Sequence, residues 1–403
     1  MKTRDLIMAT SLVASLAAGA GFQLQERSAR GLGRAYSGES AIADDASVIA
    51  SNPAGMLYTP AETSISVGLT GIYPDIDVTG FYTGAGGTVR TTGKDIADEA
   101  HIPFLFFSHQ LTDDLGIGFG SYTTYGLATN YPGDFAGRAI ADKSELKSIN
   151  FNPAVAYRVL PTLSVGAGFN AVYADGVLNS TLPNSLPLLD LAGSDWGYGY
   201  NVGLMYEPRE GTRLGLHYRS EVDLTLEGRV VSAAVGIFNG PAILDVTLPD
   251  SLEFSIYHEL NDRWAIHGDV TWTGWSDFQQ IAPVVLGAPA QPPATIENWN
   301  DSWRFSLGTT YKASDRLTLR AGAAYDESPV EPLFRTLSIP DNDRLWLSVG
   351  GSWHFNPCWS LDLGYTRVFA GRSSINQTNA GGNFRGYAEG DTNLVSLGVS
   401  GNF

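Results

Sequence analysis

From Thr63 to the C-terminus, apolar residues recur at every second position, the pattern of strands whose two faces meet different surroundings. In one such run Leu163, Val165, Ala167, Phe169, Ala171 and Tyr173 share a face, with Ser164, Gly166, Gly168 and Asn170 on the other. Trp196, Tyr198, Tyr200, Val202, Leu204 and Tyr206 repeat the pattern, as do Trp359, Leu361, Leu363 and Tyr365. About fourteen segments can be marked, near 63–73, 102–111, 115–123, 146–159, 162–174, 195–207, 212–226, 246–260, 264–274, 302–312, 316–326, 343–355, 359–369 and 392–403. The connections between them alternate strictly. Short turns such as 112–114, 160–161 and 356–358 are separated by long segments at 74–101, 124–145, 175–194, 227–245, 275–301, 327–342 and 370–391. A soluble sandwich or propeller has no reason to gather its long connections at one end. An outer-membrane barrel does, because its short turns face the periplasm, its long loops face outside and its strand number is even. The expected fold class is all-β, a fourteen-stranded antiparallel transmembrane β-barrel.

Composition agrees. Of 403 residues 43% are hydrophobic and only 17% charged, too apolar for a disordered chain. A net charge of -17 leaves no basic stripe with which to neutralise phosphates, so nucleic acid is not an expected partner. A single cysteine, Cys358, excludes an internal disulfide and CxxC motifs. Lys2 and Arg4 precede an apolar run over 6–17 and the small residues Ala17, Ala18, Gly19 and Ala20, which reads as a secretory signal peptide over residues 1–20. Paired aromatics such as Trp303 with Tyr311 sit near strand ends, where belts at the two membrane interfaces belong. The last strand ends Val399, Gly401, Phe403, a terminal aromatic of the kind read by the outer-membrane assembly machinery.

If the apolar stripes face lipid, the lumen face is small or polar, with Gly166, Gly168, Gly197, Gly199, Gly203, Gly308, Gly322 and Gly364 among Arg213, His217, Arg219, Glu221 and Arg320. Glycine in a strand often marks the close approach of other backbone, so a segment is expected inside the barrel. Residues 21–60 lack strand alternation and supply it, leaving 61–403 as the barrel. Within them 42–50 reads as a short helix halted by Asn52-Pro53, since a residue before proline avoids the helical region.

The same segment, through Gly21-Phe22-Gln23-Leu24, Gly31-Leu32-Gly33-Arg34-Ala35-Tyr36-Ser37-Gly38-Glu39, Ala41-Ile42-Ala43-Asp44-Asp45-Ala46 and Asn52-Pro53-Ala54, resembles the FadL/TodX family of outer-membrane transporters for hydrophobic compounds. Tyr125-Gly126-Leu127-Ala128-Thr129, Tyr218-Arg219-Ser220-Glu221-Val222 and Asp326-Glu327-Ser328-Pro329-Val330 extend the resemblance over essentially the whole mature chain. It implies a barrel closed by an N-terminal hatch and uptake of hydrophobic compounds, above all long-chain fatty acids. Ligand would be captured among the outer loops, pass to a pocket near the mature N-terminus and leave sideways at a kink in the third strand. Gating would fall on Asn52, Pro53 and Ala54 of the hatch and on Thr124, Tyr125 and Gly126 of the kink. Ligand contacts would fall on Phe22, Leu24, Thr123, Tyr173, Ser180 and Thr295. The implied state is a monomer in the outer membrane of a Gram-negative bacterium, among lipid and lipopolysaccharide, with no cofactor, no metal and no enzymatic activity.

One departure stands out. Where fatty-acid relatives place basic residues, this chain has Ser180 and Thr295, and it contains no Lys or Arg over 159–205 or over 276–302. An unpaired carboxylate taken out of water is costly. Two explanations stay open: an uncharged monoaromatic or alkane ligand, or a fatty-acid headgroup held by Arg90, Arg138 or a lumen arginine. A lipid hydrolase is a remote alternative that would need a Ser/His pair meeting in space, and the sequence has no GxSxG elbow. Gly31-x-Gly33 lacks the third glycine of a phosphate loop, and Asp44-Asp45 reads as support for a helix start.

Overall fold

A computed structural model describes residues 20–182 and 185–403, and in it the alternating segments form a closed antiparallel barrel of fourteen strands. Nearly all of the expected signal peptide lies outside the described residues. The strands are β1 Thr63–Gly84, β2 Ala100–Thr112, β3 Leu115–Tyr122 with Gly126–Asn130, β4 Lys143–Leu160, β5 Leu163–Thr181, β6 Pro187–Arg209 and β7 Thr212–Arg219 with Val222–Val231. They continue as β8 Gly240–Leu248 with Ser251–Glu259, β9 Trp264–Thr273, β10 Ser302–Ser314, β11 Leu317–Asp326, β12 Arg344–His354, β13 Trp359–Asn379 and β14 Gly382–Asn402. Each pairs with the next, and β1 pairs with β14 from Ser64↔Asn402 to Thr83↔Asn383, which leaves the sheet without an edge.

The outward face carries the apolar stripe. Leu307 is 69% exposed, Tyr198 63% and Val349 57%, a surface that would drive aggregation in water but is at its lowest free energy against lipid. Aromatic pairs gather at both rims. Trp264 stacks on Tyr311 at 4.4 Å and Trp359 meets Phe403 at 5.0 Å near the short turns, while Tyr173 packs on Trp196 at 5.3 Å toward the long loops. Several strands outrun the alternation that announces them. The segments 175–194 and 370–391, expected as loops, are mostly ladder, because β5, β6, β13 and β14 continue beyond the membrane. Out there both faces meet polar surroundings, so the period-two signal fades although the backbone hydrogen bonds continue.

Inside the barrel the N-terminal segment forms a hatch of short helices, α1 Ala29–Leu32, α2 Glu39–Ile42 and α3 Val48–Ser51, followed by a 3-10 turn over Pro53–Tyr58. The single helix expected over 42–50 is two pieces. Ala43 takes the left-handed conformation (φ 53), and the acids beside it are drawn elsewhere. Asp44 pairs with Arg34 at 3.0 Å and Arg320 at 3.1 Å, while Asp45 accepts the Ser47 N–H at 2.8 Å at the start of α3. As expected, α3 stops at Asn52, before Pro53.

Several wall glycines are the hatch's seats. A Cβ on Gly364 would sit 2.5 Å from the Ala29 carbonyl oxygen, and one on Gly350 2.6 Å from Gly33 Cα. Gly166, Gly322 and Gly308 similarly face Ala54 N, Arg34 O and Ser37 Oγ with no room for a methyl group. Gly197 and Gly199 instead receive Val222 of β7 and Ser220 at the break in that strand, so not every lumen glycine marks the hatch.

Charge completes the fit. Arg30 meets Asp362 at 3.1 Å, Arg304 donates to Ala35 O at 2.6 Å, and Arg219 donates to Ala50 O and to the Tyr122 hydroxyl, both at 2.8 Å. Asn52 Nδ2 donates to Ser40 O at 2.7 Å and to Leu204 O at 3.0 Å, and its Oδ1 accepts the Ala54 N–H at 3.1 Å. Removing one partner of a buried charged pair costs about 3–5 kcal/mol, and orphaning a neutral buried group about 1–3 kcal/mol.

Two substitutions test this seating. Gly322→Val should displace the Arg34 carbonyl and raise single-channel conductance while the barrel still inserts. Asn52→Ala should cost the hatch about 1–3 kcal/mol per orphaned group, seen as faster amide exchange over residues 40–54 with the barrel strands unchanged.

Candidate ligand-binding site and route

The wall is weakest at β3. Its pairing to β2 stops at Leu105↔Ser121, and its pairing to β4 is interrupted between Tyr122↔Asn150 and Gly126↔Lys147. Backbone left unpaired at this depth would cost several kcal/mol per group in lipid. The N-terminal segment supplies the missing partners. Gln23 bridges to Tyr125, Leu24 N–H donates to Thr124 O at 2.7 Å, and Gly126 N–H donates to Phe22 O at 2.9 Å. Side chains fix the break from the other side, with Thr123 Oγ1 donating to Ser148 O at 2.9 Å and the Tyr125 hydroxyl to Pro249 O at 2.7 Å.

Phe22, two residues after the start of the described chain, is clamped by rings. Their centroids lie at 4.6 Å for Trp275, 5.3 Å for Phe278, 5.7 Å for Trp299 and 6.0 Å for Tyr125. Gly21 lets the chain turn there. Its φ is 64°, and a Cβ would fall 2.8 Å from both Trp275 and Trp299. Ala20 N–H and Gly21 N–H donate to Asp326 and Asp341 at 3.0 Å each.

Two cavities lead to this point. The outer, about 140 Å³, lies under the long loops and is lined by Ser180, Thr295, Ser338 and Asn379 with apolar walls. The inner, about 60 Å³, lies beside Phe22 among Leu127, Leu146, Leu226 and Leu244. Leu178 and Ile281 line both, so the two adjoin. Thr295 is placed by a short pairing across the loop between β9 and β10, opposite Ile281.

The residues singled out from sequence therefore separate. Phe22 lines the inner cavity, and Ser180 and Thr295 line the outer one. Thr123 and Leu24 are buried in the break, with the Thr123 hydroxyl already committed to Ser148. Tyr173 points out of the barrel against Trp196 and reaches neither cavity, so it belongs to the outer aromatic belt. That placement follows from its own alternation, which puts it on the face of Phe169 and Val165. Asn52, Pro53 and Ala54 lie in the hatch against Gly203 and Gly166, apart from the break at Thr124, Tyr125 and Gly126. Sequence reasoning missed the ring cluster of Trp275, Phe278 and Trp299, although three large aromatics in one long loop were a visible signal.

Among the described residues, no Lys or Arg lines either cavity. Arg138 is held by Asp142 through two hydrogen bonds, 2.7 Å and 2.8 Å, and Arg90 is exposed on the hairpin that extends β1. Arg219 lies in the lumen as expected, donating to the hatch and to Asn170, but Glu221, expected beside it, is exposed because the strand breaks at 220–221 and turns it out of the lumen.

The chain matches the family described as "Outer membrane protein transport protein (OMPP1/FadL/TodX)" over residues 10–403. It is 36% identical to the "Long-chain fatty acid transport protein" of Escherichia coli O6:H1, with 89% of each chain covered. It is also 36% identical to "Outer membrane protein P1" of Haemophilus influenzae, covering 90% of this chain and 89% of that one. Among solved structures, a Pseudomonas aeruginosa FadL homologue superposes with a TM-score of 0.87 at 21% identity, covering 95% of this chain and all of the other. The Pseudomonas putida toluene transporter TodX gives 0.68 at 19% identity, covering 89% of this chain and 94% of that one. Agreement over nearly the full length in sequence and in fold makes this protein a member of the OMPP1/FadL/TodX family of outer-membrane transport proteins, resident in the outer membrane of a Gram-negative cell.

Proposed function

We propose that this protein takes up long-chain fatty acids and related hydrophobic compounds, capturing them under the outer loops, passing them to the inner cavity and releasing them sideways at the break in β3. The observation that carries this reading is the dual role of residues 22–24. Phe22 walls the inner cavity, and the backbone on either side of it fills the gap in β3. A ligand that displaces Phe22 therefore also withdraws the partners of Thr124 and Gly126, which opens the wall to lipid. A hydrophobic solute gains nothing from an aqueous channel, whereas transfer into hydrocarbon is favourable at roughly 0.8 kcal/mol per CH₂. Absence of a cation along both cavities favours a second reading, in which the cargo is an uncharged hydrocarbon. On either reading the chain acts as a monomer, is exported by a leader over residues 1–20, and is inserted by the assembly machinery through the strand that ends at Phe403.

Among the described residues, the serine and histidine side chains that hydrogen-bond to each other, as a lipid hydrolase would need, are Ser37 and His267, at 2.7 Å. Both are buried in the contact between hatch and wall and line neither cavity, so this pair serves to hold the hatch. Removal of residues 124–126 should abolish uptake of labelled oleate by cells lacking their own transporter while binding to purified protein persists. Uptake that survives the removal would argue against the lateral exit.

The roof of the route contains a pH-sensitive contact. Glu297, fully buried in the loop between β9 and β10, accepts from Trp299 Nε1 at 3.2 Å and from Thr336 Oγ1 at 3.3 Å, with no cation beside it. Burial pushes its carboxyl up to about 8, against the smaller opposing effect of the two hydrogen bonds. The packed loop thus holds this proton more tightly than an opened loop. Its stabilisation is full below the ordinary carboxyl range and is lost as pH rises through about 8. Amide protection around residues 297–299, corrected for intrinsic exchange, should fall between pH 6 and pH 9, and Glu297→Gln should flatten that dependence.

A further inference from the structure

The inner cavity contains a hydroxyl that none of the described residues uses. Ser144 lies on β4 between Thr129 of β3 and Leu178 of β5 in cross-strand register. It lines the cavity, is only 4% exposed, and its Oγ has no hydrogen-bond partner among the described residues. The neighbouring polar groups do otherwise. The Thr129 hydroxyl donates to Ser338 O at 2.8 Å, and the Ser148 hydroxyl donates to Tyr125 O at 2.5 Å. A buried hydroxyl without a partner carries a free-energy cost that a ligand able to hydrogen-bond it can remove.

Charge around the cavity restricts that ligand. The carboxylates on its lining are Glu145 and Asp245. Glu145 is met by Lys147 at 2.8 Å and Lys143 at 3.3 Å, and Lys147 in turn stands opposite Asp175 on β5. These two lysines and two acids balance, which leaves no free cation to receive a carboxylate. Asp245, exposed, accepts from the Thr225 hydroxyl at 2.8 Å and adds negative charge. A ligand with an ionised end would enter a space whose lining offers the buried Ser144 hydroxyl, the exposed Gln280 amide and two carboxylates but no counter-charge, which is unfavourable. A bare hydrocarbon would leave Ser144 orphaned.

We infer that Ser144 is the polar anchor of the inner cavity and that the ligand it selects is a long chain with an uncharged hydrogen-bonding end: an alcohol, an ester or a fatty acid in its protonated form. This rests on the uptake route proposed above and adds to it the chemistry of the headgroup. The test uses full-length protein in detergent and the quenching of its tryptophan fluorescence by brominated chains, namely 9,10-dibromostearyl alcohol, 9,10-dibromostearate and 9,10-dibromooctadecane. At pH 9 the alcohol should bind about tenfold more tightly than the stearate, and the acid should recover most of that difference at pH 5 while the alcohol does not change. Ser144→Ala, which breaks no existing hydrogen bond, should weaken the alcohol about three- to tenfold and leave the bromoalkane unaffected. Stearate binding as tightly as the alcohol at pH 9 overturns the inference, and so does a Ser144→Ala effect shared equally by alcohol and alkane. Failure of all three chains to bind would instead sink the uptake route itself, so the two failures are distinguishable.

Discussion

In hydrocarbon no water is available to a backbone N–H or carbonyl, and this constraint organises the whole molecule. It forces the strands into a closed ring, which the long β1–β14 ladder completes. It also makes any interruption of the ring expensive unless something else supplies the hydrogen bonds. At β3 the substitute is the backbone of residues 22–24, so the piece that satisfies the wall is also the piece that ends the ligand cavity. The gating proposed above rests on that sharing. A conformational change at Phe22 cannot leave the wall as it was, because the same few residues serve both.

The hatch obeys the complementary rule for a lumen that water cannot fill freely. Its short helices would have little stability alone. They persist because the wall removes side chains where the hatch backbone approaches, at Gly364, Gly350, Gly322 and Gly166, and adds arginines where the hatch has unpaired carbonyls, as at Ala50 and Ala35. Buried ion pairs contribute modest net stability but are costly to break, and so favour one seating over others. The plug is specific rather than merely tight.

How much of this was legible in sequence depends on the range over which each feature is decided. Strand number and order were readable because lipid on one side and lumen on the other impose a period of two on each crossing. The same alternation placed Tyr173 outside, against the ligand contact that family resemblance assigned to it. Strand ends beyond the membrane were not readable, since the alternation dies where the lipid ends. The helix expected over 42–50 split because Asp44 answers to Arg34 and Arg320, one of them nearly three hundred residues away. Ser180 and Thr295 were named from relatives and do meet at one cavity. Ser144 carried no sequence signal, because one serine among many becomes notable only when it proves to line a cavity with its hydroxyl unused while the hydroxyls around it are committed.

By itself the sequence determined that the chain is a fourteen-strand barrel with an inward-facing glycine set, a segment to fill the lumen and two long connections without a cation. These are properties of periodicity and composition, decided by whether each residue faces lipid, lumen or water. Only the tertiary structure decided which glycines seat the hatch, that the gap in β3 is filled by residues 22–24, and that the cavities adjoin at Leu178 and Ile281. Each of those depends on segments far apart in the chain meeting in space, and no local pattern records which hydrogen-bonding groups such a meeting satisfies and which, like Ser144 Oγ, it leaves for a ligand.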